Sequence, residues 1–465
     1  DRVSRVRWFV LAMLPSVMLL ATTNEVCMDI AVVPFLWIIP LTLYLLSFIL
    51  TFESDRFYRR KPVVALTAIS LAATSVMMAA GGSLNVLLQI VVFFGNLFAV
   101  CMMCHGELVS LKPSARYLTS FYLTMSAGGA AGGLFVGLGA PVLFNSYCEL
   151  PWGIFCCILI AVGAWLRCDA NFSKSVPASV SLKAGVIFGS LLLTFFSLFD
   201  ATSETTQIAT RNFYGVLRID ENSDPVTNRP MREMIHGRVV HGRQMLDDAG
   251  RHEATTYYTV HSGIGRLLQL PSLEPRRIGV VGLGAGTLAV YGRLGDTMKF
   301  YEINPDVIRL AYQHFTFLSD SHSHVEVLAG DARLVLEREE PQKLDVLVLD
   351  AFSGDAIPVH LLTAEAMEIY RRHLKPDGIL AVHISNTYFD LEPVVRAQAI
   401  EMGMICRRCA TTPESDPGIG CESVWMLATR NEEALNAALG PETGSRNTEL
   451  VFWTDDRNNL LNVLR

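Results

Sequence analysis

Long runs without Asp, Glu, Lys or Arg fill the first 200 residues and constrain the fold more than any other feature of the sequence. A helix needs roughly 18–25 apolar residues to cross the hydrocarbon core of a bilayer. Seven uncharged runs reach or approach that length: Trp8–Thr22, Ala31–Phe52, Val63–Ala80, Leu84–Cys104, Phe121–Phe144, Trp152–Leu166 and Ala184–Phe199. A cleaved signal peptide accounts for one run at most. The pattern therefore predicts a polytopic transmembrane domain over residues 1–200, with about six to seven helices.

The number of complete crossings stays open, because the first run and the last two runs are short and Pro15 interrupts the first. Short apolar segments are compatible with tilted or re-entrant helices. Lys and Arg occur in alternate connections, with three before the first run, four in Arg56–Lys61, two at Lys112 and Arg116, and three in Arg167–Lys183. The positive-inside rule places these connections in the cytoplasm. Seven complete crossings would then place everything after Asp200 outside.

The charge is distributed unevenly along the chain. Residues 1–200 hold 12 Lys and Arg against 9 Asp and Glu, which leaves 26 against 36 of the chain's 38 and 45 for the remainder. Charged residues make up 18% of the sequence and hydrophobic residues 51%, whereas soluble proteins carry about 25% charge. This composition argues against a disordered chain, a collagen-like repeat and nucleic-acid binding through a basic surface. Because the sequence begins with Asp1, we expect a processed product or a fragment.

Two polar residues, His105 and Glu107, lie at the cytoplasmic end of the fourth run. Polar groups near a bilayer are costly and are functional candidates by default, so the pair is a candidate membrane-side substrate or proton site. The alternative is a helix end whose polar groups are solvated. Cys101, Cys104 and His105 match the pattern of c-type haem attachment, but an apolar helix offers no haem pocket. We expect free thiols and no metal site, since the remaining cysteines are scattered.

The second half has short apolar segments separated by turns. Asn212–Ile219 and Met231–Met245 predict a small antiparallel sheet within residues 201–265. From residue 266 to 465, strand-like and helical segments alternate, which predicts an α/β doubly wound domain with a parallel sheet. The predicted strands are Ile278–Val281, Lys299–Ile303, Val325–Leu328, Asp345–Leu349, Ile379–Ile384 and Val424–Thr429. The predicted helices are Thr287–Arg293, Pro305–Phe315, Ala332–Arg338, Thr363–His373 and Leu391–Met402.

Four motifs follow successive predicted strands, at the sheet edge where such folds bind ligands. They are the loop Gly282-Leu-Gly284-Ala-Gly286, then Glu302, then Asp331 in Gly-Asp-Ala, and then the segment from Asp350 to Asp355. Glycines let a backbone turn tightly and approach a ligand. Glu302 is placed to accept hydrogen bonds from ribose hydroxyls, and Asp331 from the exocyclic amine of adenine. A solvated loop or a helix cap is the alternative for each acid alone, but four motifs in register predict a nucleoside site.

The order GLGAG, YEINP, GDAR and LDAFSGDAIP resembles the spermidine synthase family of polyamine aminopropyltransferases, and most closely its membrane-fused bacterial members. The resemblance spans roughly residues 211–430 and implies a Rossmann-like fold of the class I methyltransferase type. His241-Gly242-Arg243-Gln244 resembles the family's Asp-Gly-x-Gln, and Thr256–Tyr258 resembles its substrate-side tyrosine region.

The resemblance also implies roles for individual residues. Glu302 would bind the ribose and Asp331 the adenine. Asp350 would be the catalytic acid that accepts the amine proton, and the acceptor pocket would be lined by Gln244, Tyr258 and Asp355. The donor substrate would be decarboxylated S-adenosylmethionine or S-adenosylmethionine, with no prosthetic group and no metal. Two departures weaken the prediction for the transferred group: Ala285 replaces a loop Asp that pairs with the donor's amino group, and His241 replaces the Asp of the lid region.

Three functions remain open at this point. The first is a membrane-anchored aminopropyltransferase that uses a putrescine-like amine acceptor. The second is an S-adenosylmethionine-dependent methyl- or aminocarboxypropyltransferase whose acceptor is a lipid or another membrane-borne molecule. The third is a non-enzymatic nucleoside-sensing module on a transporter-like membrane domain. Asp350 favours catalysis over sensing, and Ala285 favours the second function relative to the first. Whether the chain forms a homo-oligomer is left open.

The location follows from the donor. We expect a multi-pass protein of a bacterial inner membrane whose soluble domain faces the cytoplasm, because sulfonium nucleosides are made there. This expectation opposes the literal count of basic loops. It requires that one of the short late segments, Trp152–Leu166 or Ala184–Phe199, does not cross fully.

Overall fold

The computed structural model divides the chain into two compact units. It describes residues 2–30, 34–54, 56–80, 85–166, 189, 205–237, 239–351, 358–386, 388–441 and 449–465. The first unit is Asp1–Glu204 with Arg211–Val216, and the second is Thr205–Thr210 with Leu217–Arg465.

The first unit is helical. Its described helices are α1 (Arg2–Asn24), α2 (Ile38–Glu53), α3 (Arg60–Ala80), α4 (Val86–Ser110), α5 (Leu118–Leu134), α6 (Ala140–Leu143) and α7 (Glu149–Leu166). Four helical stretches are long and apolar enough to cross a membrane, by length and composition: Arg2–Cys27, Arg60–Ala79, Val86–Ser110 and Ala115–Leu143. Two shorter apolar helices are Ile38–Glu53 and Glu149–Trp165. Six predicted runs therefore form helices, and the seventh, Ala184–Phe199, lies outside the described residues except for Gly189.

Hydrogen bonds in this unit bring several helix ends together. The Trp8 indole donates to the carbonyl of Leu111 at 3.1 Å, so α1 begins close to where α4 ends. Tyr58, just before α3, donates to Glu107 of α4 at 2.6 Å. The basic residues at the start of α1, those around the start of α3 and those that follow α4 therefore lie at one end of the helical unit. Along its length, the glycine-rich α5 packs on α1, with the Ser16 hydroxyl donating to the Gly129 carbonyl at 2.9 Å.

A small sheet opens the second unit, although the end of its first strand and the start of its second lie in Arg211–Val216, which belongs to the first unit. Its strands are β1 (Thr206–Asn212), β2 (Gly215–Ser223), β3 (Pro230–His236) and β4 (Val239–Met245), in consecutive order. The β2–β3 and β3–β4 pairs are antiparallel, and the second pair has a register shift between Met234 and Ile235.

A seven-stranded sheet follows, in the order β10-β11-β9-β8-β5-β6-β7. Its strands are β5 (Arg277–Val281), β6 (Thr297–Glu302), β7 (His324–Ala329), β8 (Leu344–Leu349), β9 (Leu374–His383), β10 (Ile405–Thr411) and β11 (Ser423–Thr429). Strands β5 to β9 pair in parallel, whereas β11 pairs antiparallel with β9 and β10 antiparallel with β11. The sheet is thus mixed rather than parallel throughout, a correction to the sequence prediction, and its order is consistent with a methyltransferase-like fold.

The helices of the second unit are α8 (Gly263–Gln269), α9 (Pro305–His314), α10 (Ala332–Arg338), α11 (Ala364–His373), α12 (Glu392–Glu401) and α13 (Glu432–Leu439). The helix predicted at Thr287–Arg293 is instead a short 3-10 helix, Thr287–Tyr291.

Both faces of the large sheet are buried. Successive side chains of a strand point to opposite faces, and Val346 and Val348 of β8 belong to one apolar cluster while Leu347 and Leu349 belong to another. Burial on both sides is typical of parallel strands covered by helices. It leaves the carboxyl-terminal edge of the sheet as the place where polar side chains gather.

Candidate functional site

The carboxyl ends of the parallel strands meet along one edge of the large sheet. Gly282 follows β5, and its N–H donates to the Tyr301 carbonyl of β6 at 2.8 Å. The Asp350 N–H, following β8, donates to the Val281 carbonyl at 2.9 Å. The Gly330 N–H, following β7, donates to the Glu302 carbonyl at 2.9 Å. The motifs predicted at successive strands therefore lie side by side.

The glycine loop passes so close to neighbouring backbone that side chains are excluded at two positions. Gly282 has φ +97°, and a Cβ there would lie 2.2 Å from the Asp350 carbonyl oxygen. Gly284 has φ +54°, and a Cβ there would lie 2.4 Å from the His241 carbonyl oxygen. Both positions need glycine for the left-handed backbone and for the close approach. The loop is thus packed between the strand end that carries Asp350 and the β4 strand.

Glu302 is a buried carboxylate that closes the end of β6. Its Oε2 accepts the Leu283 N–H at 3.0 Å, and its Oε1 accepts the Asn304 N–H at 2.8 Å. Burial raises the pKa of Glu302 above its ordinary value, and the backbone donors offset only part of this effect. The Ile303 backbone N–H also interacts with the carboxylate, and these donors together do not fill the roughly four acceptor positions that the two oxygens offer. The carboxylate both orders the glycine loop and retains capacity for hydroxyl donors.

Asp331 caps the helix that follows β7. Its Oδ1 accepts the Leu334 N–H at 3.0 Å, which is the usual role of an N-cap residue. Its Oδ2 lies 3.1 Å from Nε2 of His360. The helix-cap alternative is therefore present in the structure, and the second oxygen faces a partly exposed imidazole.

Asp350 is a buried acid with a side-chain partner at each of its two carboxylate oxygens. Its Oδ2 accepts a hydrogen bond from the Tyr258 hydroxyl. Burial, reinforced by the nearby Asp350 carboxylate, raises the pKa of Tyr258 well above its ordinary value, so the hydroxyl keeps its proton and donates. Oδ1 of Asp350 lies 2.8 Å from Nδ1 of His383. The Asp350 and His383 side chains are 4% and 6% exposed.

Two aromatic rings stack on the His383 imidazole, next to Asp350. The Tyr257 ring stacks on the His383 ring with centroids 4.6 Å apart, and the Trp425 ring does so at 4.7 Å. The Trp425 indole donates to the Tyr257 carbonyl at 3.1 Å. Together these contacts fix the loop that carries Tyr257 and Tyr258 against β9 and β11.

Gln244 and Asp355 are the other two residues predicted to line the acceptor pocket. Gln244 is buried, and its amide donates to the Arg251 carbonyl at 2.9 Å and to the Thr316 hydroxyl at 2.8 Å, while its oxygen accepts the Thr316 N–H at 3.1 Å. In this arrangement Gln244 ties β4 to the segment after α9. Asp355 lies outside the described residues. Its role and that of Gln244 stay predictions.

The two departures from the spermidine synthase pattern occur in adjoining segments. Ala285 is 1% exposed and lies beneath Gly242. Burial and the neighbouring His236 lower the pKa of His241 to about 3, so its imidazole is neutral. The Nε2 atom of His241 is buried with no hydrogen-bond partner in the described part of the chain. This side of the glycine loop therefore lacks both carboxylates that the resemblance would place there.

His105 and Glu107 have different side-chain partners in the helical unit. The Nδ1 atom of His105 lies 2.9 Å from the Ser47 hydroxyl, and its ring packs on Phe48. Glu107 instead accepts hydrogen bonds from Tyr58 and Arg60. Both residues are buried and contact different neighbours, so a shared membrane-side site stays a prediction. Among the described residues of the whole chain, no three His, Cys, Asp or Glu side chains are grouped to hold a metal ion.

Sequence reasoning missed His383, Trp425 and His360, and it named Tyr257 only as part of the tyrosine region Thr256–Tyr258. The pairing register of β8 with β9 is the signal that could have found His383. Leu349 of β8 pairs with Val382 of β9, so the next residues, Asp350 and His383, lie next to each other. Trp425 pairs directly with His383 across β9 and β11. These residues became visible only once neighbouring strands were known.

The strands and helices of the second unit form an α/β domain whose sheet order is consistent with a methyltransferase-like fold. None of the profiles that describe known protein families matches the chain. It is 34% identical over 122 residues to a polyamine aminopropyltransferase of Vibrio vulnificus, which is 25% of this chain and 38% of that protein. It is 36% identical over 110 residues to an N-terminal histidine N-methyltransferase of Emericella nidulans, covering 22% of this chain and 19% of the relative. The chain thus spans well under half the length of these curated relatives.

Two solved structures are also similar to this chain. One is a spermidine synthase from Thermotoga maritima, with 14% identity and a TM-score of 0.38; the match covers 54% of this chain and 82% of that one. The other is a probable spermidine synthase from Corynebacterium glutamicum, with 20% identity and a TM-score of 0.37; the match covers 48% of this chain and 78% of that one.

Proposed function

We propose that this protein is a membrane-anchored, spermidine synthase-like enzyme. It transfers an aminopropyl group from decarboxylated S-adenosylmethionine to a putrescine-like amine. The observation that carries this proposal is the buried Asp350 carboxylate, held by Tyr258 and His383 beside the glycine loop. The segment similar to an aminopropyltransferase supports the same class of enzyme.

The nucleoside part of the donor binds along the strand ends. The free acceptor positions of Glu302 take the ribose hydroxyls, and Asp331 takes the exocyclic amine of adenine. The His360 imidazole lies against the same oxygen of Asp331, so it moves aside or shares that oxygen when the base binds. Two carboxylates spaced along the sheet edge thereby orient the donor, with its sulfur directed toward Asp350.

The chemical step needs positioning and one proton acceptor. The acceptor amine, which is protonated in solution, gives up a proton to Asp350, and the nitrogen lone pair that this exposes attacks the carbon attached to the sulfonium. A C–N bond forms while the C–S bond breaks, and the electron pair of the broken bond leaves on sulfur as a neutral thioether. The proton on Asp350 then passes to solvent. A general base of this kind contributes about 10²–10⁴-fold in rate, and in-line placement of the reactants contributes further.

Product identification tests the proposal. The purified full chain is incubated with putrescine and with each of the two donors, labelled in the transferable group, and the products are identified by mass. An amine heavier by one aminopropyl group, formed together with methylthioadenosine, supports the proposal. A failure to consume either donor with any amine would overturn it.

A second function is favoured by one specific observation. Ala285 and the neutral His241 occupy the two positions where the resemblance would place carboxylates, so neither position repels the carboxylate of intact S-adenosylmethionine. The alternative enzyme transfers a methyl or aminocarboxypropyl group to a lipid or another membrane-borne acceptor. In the same assay, with bacterial lipid extract as acceptor, a lipid mass increase from S-adenosylmethionine would identify it.

The apolar helices anchor the enzyme in a bacterial inner membrane, with the α/β unit facing the cytoplasm. Four helices of sufficient length and apolarity support the anchor. The cytoplasmic side is proposed because the donors are made there. Under this arrangement a membrane-borne acceptor and a soluble amine are both accessible.

A further inference from the structure

His383 has no part in the chemistry derived above, although it is the closest imidazole to Asp350. It is the last residue of β9, and its ring is held within a strand rather than on a loop. The 2.8 Å contact between its Nδ1 and Oδ1 of Asp350 is buried. Asp350 contacts one edge of the ring, and the aromatic rings of Tyr257 and Trp425 stack on it.

With the His383 contact, each oxygen of the Asp350 carboxylate has a hydrogen-bond partner. Tyr258 donates to Oδ2, and the Nδ1–H of His383 donates to Oδ1. An ionised carboxylate accepts about two hydrogen bonds on each oxygen, so one acceptor position on each oxygen remains for an amine. A carboxylate held at both oxygens has one orientation of its plane, whereas a carboxylate held at one can rotate. A hydrogen bond to an ionised acceptor is also stronger than one between neutral groups.

The stacked rings of Tyr257 and Trp425 restrict the movement of the His383 imidazole. Tyr257 lies at an interplanar angle of 18° to His383, and Trp425 lies at 25°. Trp425 is fully buried and also donates to the Tyr257 carbonyl. The imidazole therefore cannot swing away from Asp350 without displacing both rings.

We propose that His383 is a positioning residue that orients the Asp350 carboxylate toward the acceptor amine. This inference rests on the proposed function, since it assigns a role in amine deprotonation. It is specific to the proton-accepting end of the site and leaves nucleoside binding untouched.

Two variants of the full chain separate positioning from packing. His383→Phe keeps an aromatic ring between Tyr257 and Trp425 but removes the hydrogen bond. His383→Gln keeps an N–H donor for Asp350 but removes the ring. Turnover is measured with putrescine and the donor that the wild type uses, and binding of methylthioadenosine by calorimetry verifies that each variant is folded.

The inference predicts that His383→Phe lowers kcat by about tenfold to a hundredfold, the effect of losing one hydrogen bond to a charged group. KM for the donor and methylthioadenosine affinity should stay unchanged. His383→Gln should restore most of the lost kcat. If His383→Phe is as fast as wild type, or if His383→Gln is slower than His383→Phe, the positioning role is overturned and the proposed function is left standing. A wild-type chain that turns over no donor would instead overturn the proposed function, and this inference with it.

Discussion

Gly242 of β4 lies directly over Ala285 of the glycine loop, so closely that a Cβ on Gly242 would be 2.4 Å from the Cβ of Ala285. The alanine side chain therefore points into β4 rather than into open space. A carboxylate at position 285 would be buried beneath Gly242, which is costly for a charge without a partner. The neighbouring His241 is half-buried rather than fully buried, so it is the better position at which to reintroduce charge.

We predict that the wild type discriminates weakly between S-adenosylmethionine and its decarboxylated form. His241→Asp should shift the preference toward the decarboxylated donor, because the new carboxylate attracts the donor's ammonium and repels a donor carboxylate. A charged hydrogen bond contributes about 1.5–3 kcal/mol, which is tenfold or more in the ratio of kcat/KM values. His241→Asn is the control, since it changes the side chain without adding charge.

Ala285→Asp should produce the same shift only together with a lower melting temperature, because its carboxylate is buried. If the wild type already rejects S-adenosylmethionine by about 10³-fold in kcat/KM, another group selects the donor, and our interpretation of this loop is wrong.

Nucleoside binding should depend on Glu302 and Asp331. Glu302→Gln and Asp331→Ala should each weaken methylthioadenosine binding by about tenfold or more, the loss expected for one charged hydrogen bond. Asp331→Asn keeps an acceptor for the Leu334 N–H, so it separates adenine binding from the helix cap. Isothermal calorimetry measures the dissociation constants, with the exposed Glu326→Gln on β7 as a control. Unchanged affinity in all of the site variants would place the nucleoside elsewhere.

Nucleoside affinity should also fall at acid pH. Burial raises the pKa of Glu302, and only the ionised carboxylate offers acceptors to both ribose hydroxyls. Affinity is therefore full above the raised pKa and is lost as the pH falls through it, at higher pH than for an exposed glutamate. In Glu302→Gln this pH dependence should disappear. A wild-type affinity that stays constant down to the ordinary glutamate pKa of 4.5 would show that Glu302 does not bind the nucleoside.

The side of the membrane can be measured with a cysteine label. Cys406 is buried, whereas Leu273 is fully exposed on the α/β unit. We predict that Leu273→Cys reacts with a membrane-impermeant thiol reagent only after spheroplasts are permeabilised. The wild-type chain gives the background from its own cysteines. Rapid labelling in intact spheroplasts would place the α/β unit outside, as the literal count of basic loops does.

The strands of the large sheet were largely predictable because each central strand is a short apolar run bounded by turns. Strand β10 was not, since it carries Arg407 and Arg408 among its residues. Arg407 is buried and donates to the carbonyls of Leu435 and Gly440 beside α13. Such a strand is stabilised by tertiary contacts rather than by its own hydrophobic pattern. The mixed character of the sheet comes from β11, which runs antiparallel to both of its neighbours, β9 and β10.

The acids of the site were predictable from their places at strand ends, because parallel strands align those ends. The partners of Asp350 were not. Tyr258 was assigned to the acceptor pocket, but its hydrogen bond to Asp350 depends on how its loop packs. Trp425 reaches His383 only through the antiparallel register of β11 with β9, which no local pattern encodes.

Turnover by Asp350→Asn tests the central claim most directly. Asparagine keeps the shape of the side chain but cannot accept the amine proton. We predict that release of methylthioadenosine in the presence of amine falls by about 10²–10⁴-fold, while methylthioadenosine affinity by calorimetry stays at the wild-type value. A variant that retains more than half of the wild-type rate would show that Asp350 is not the base and would contradict the account.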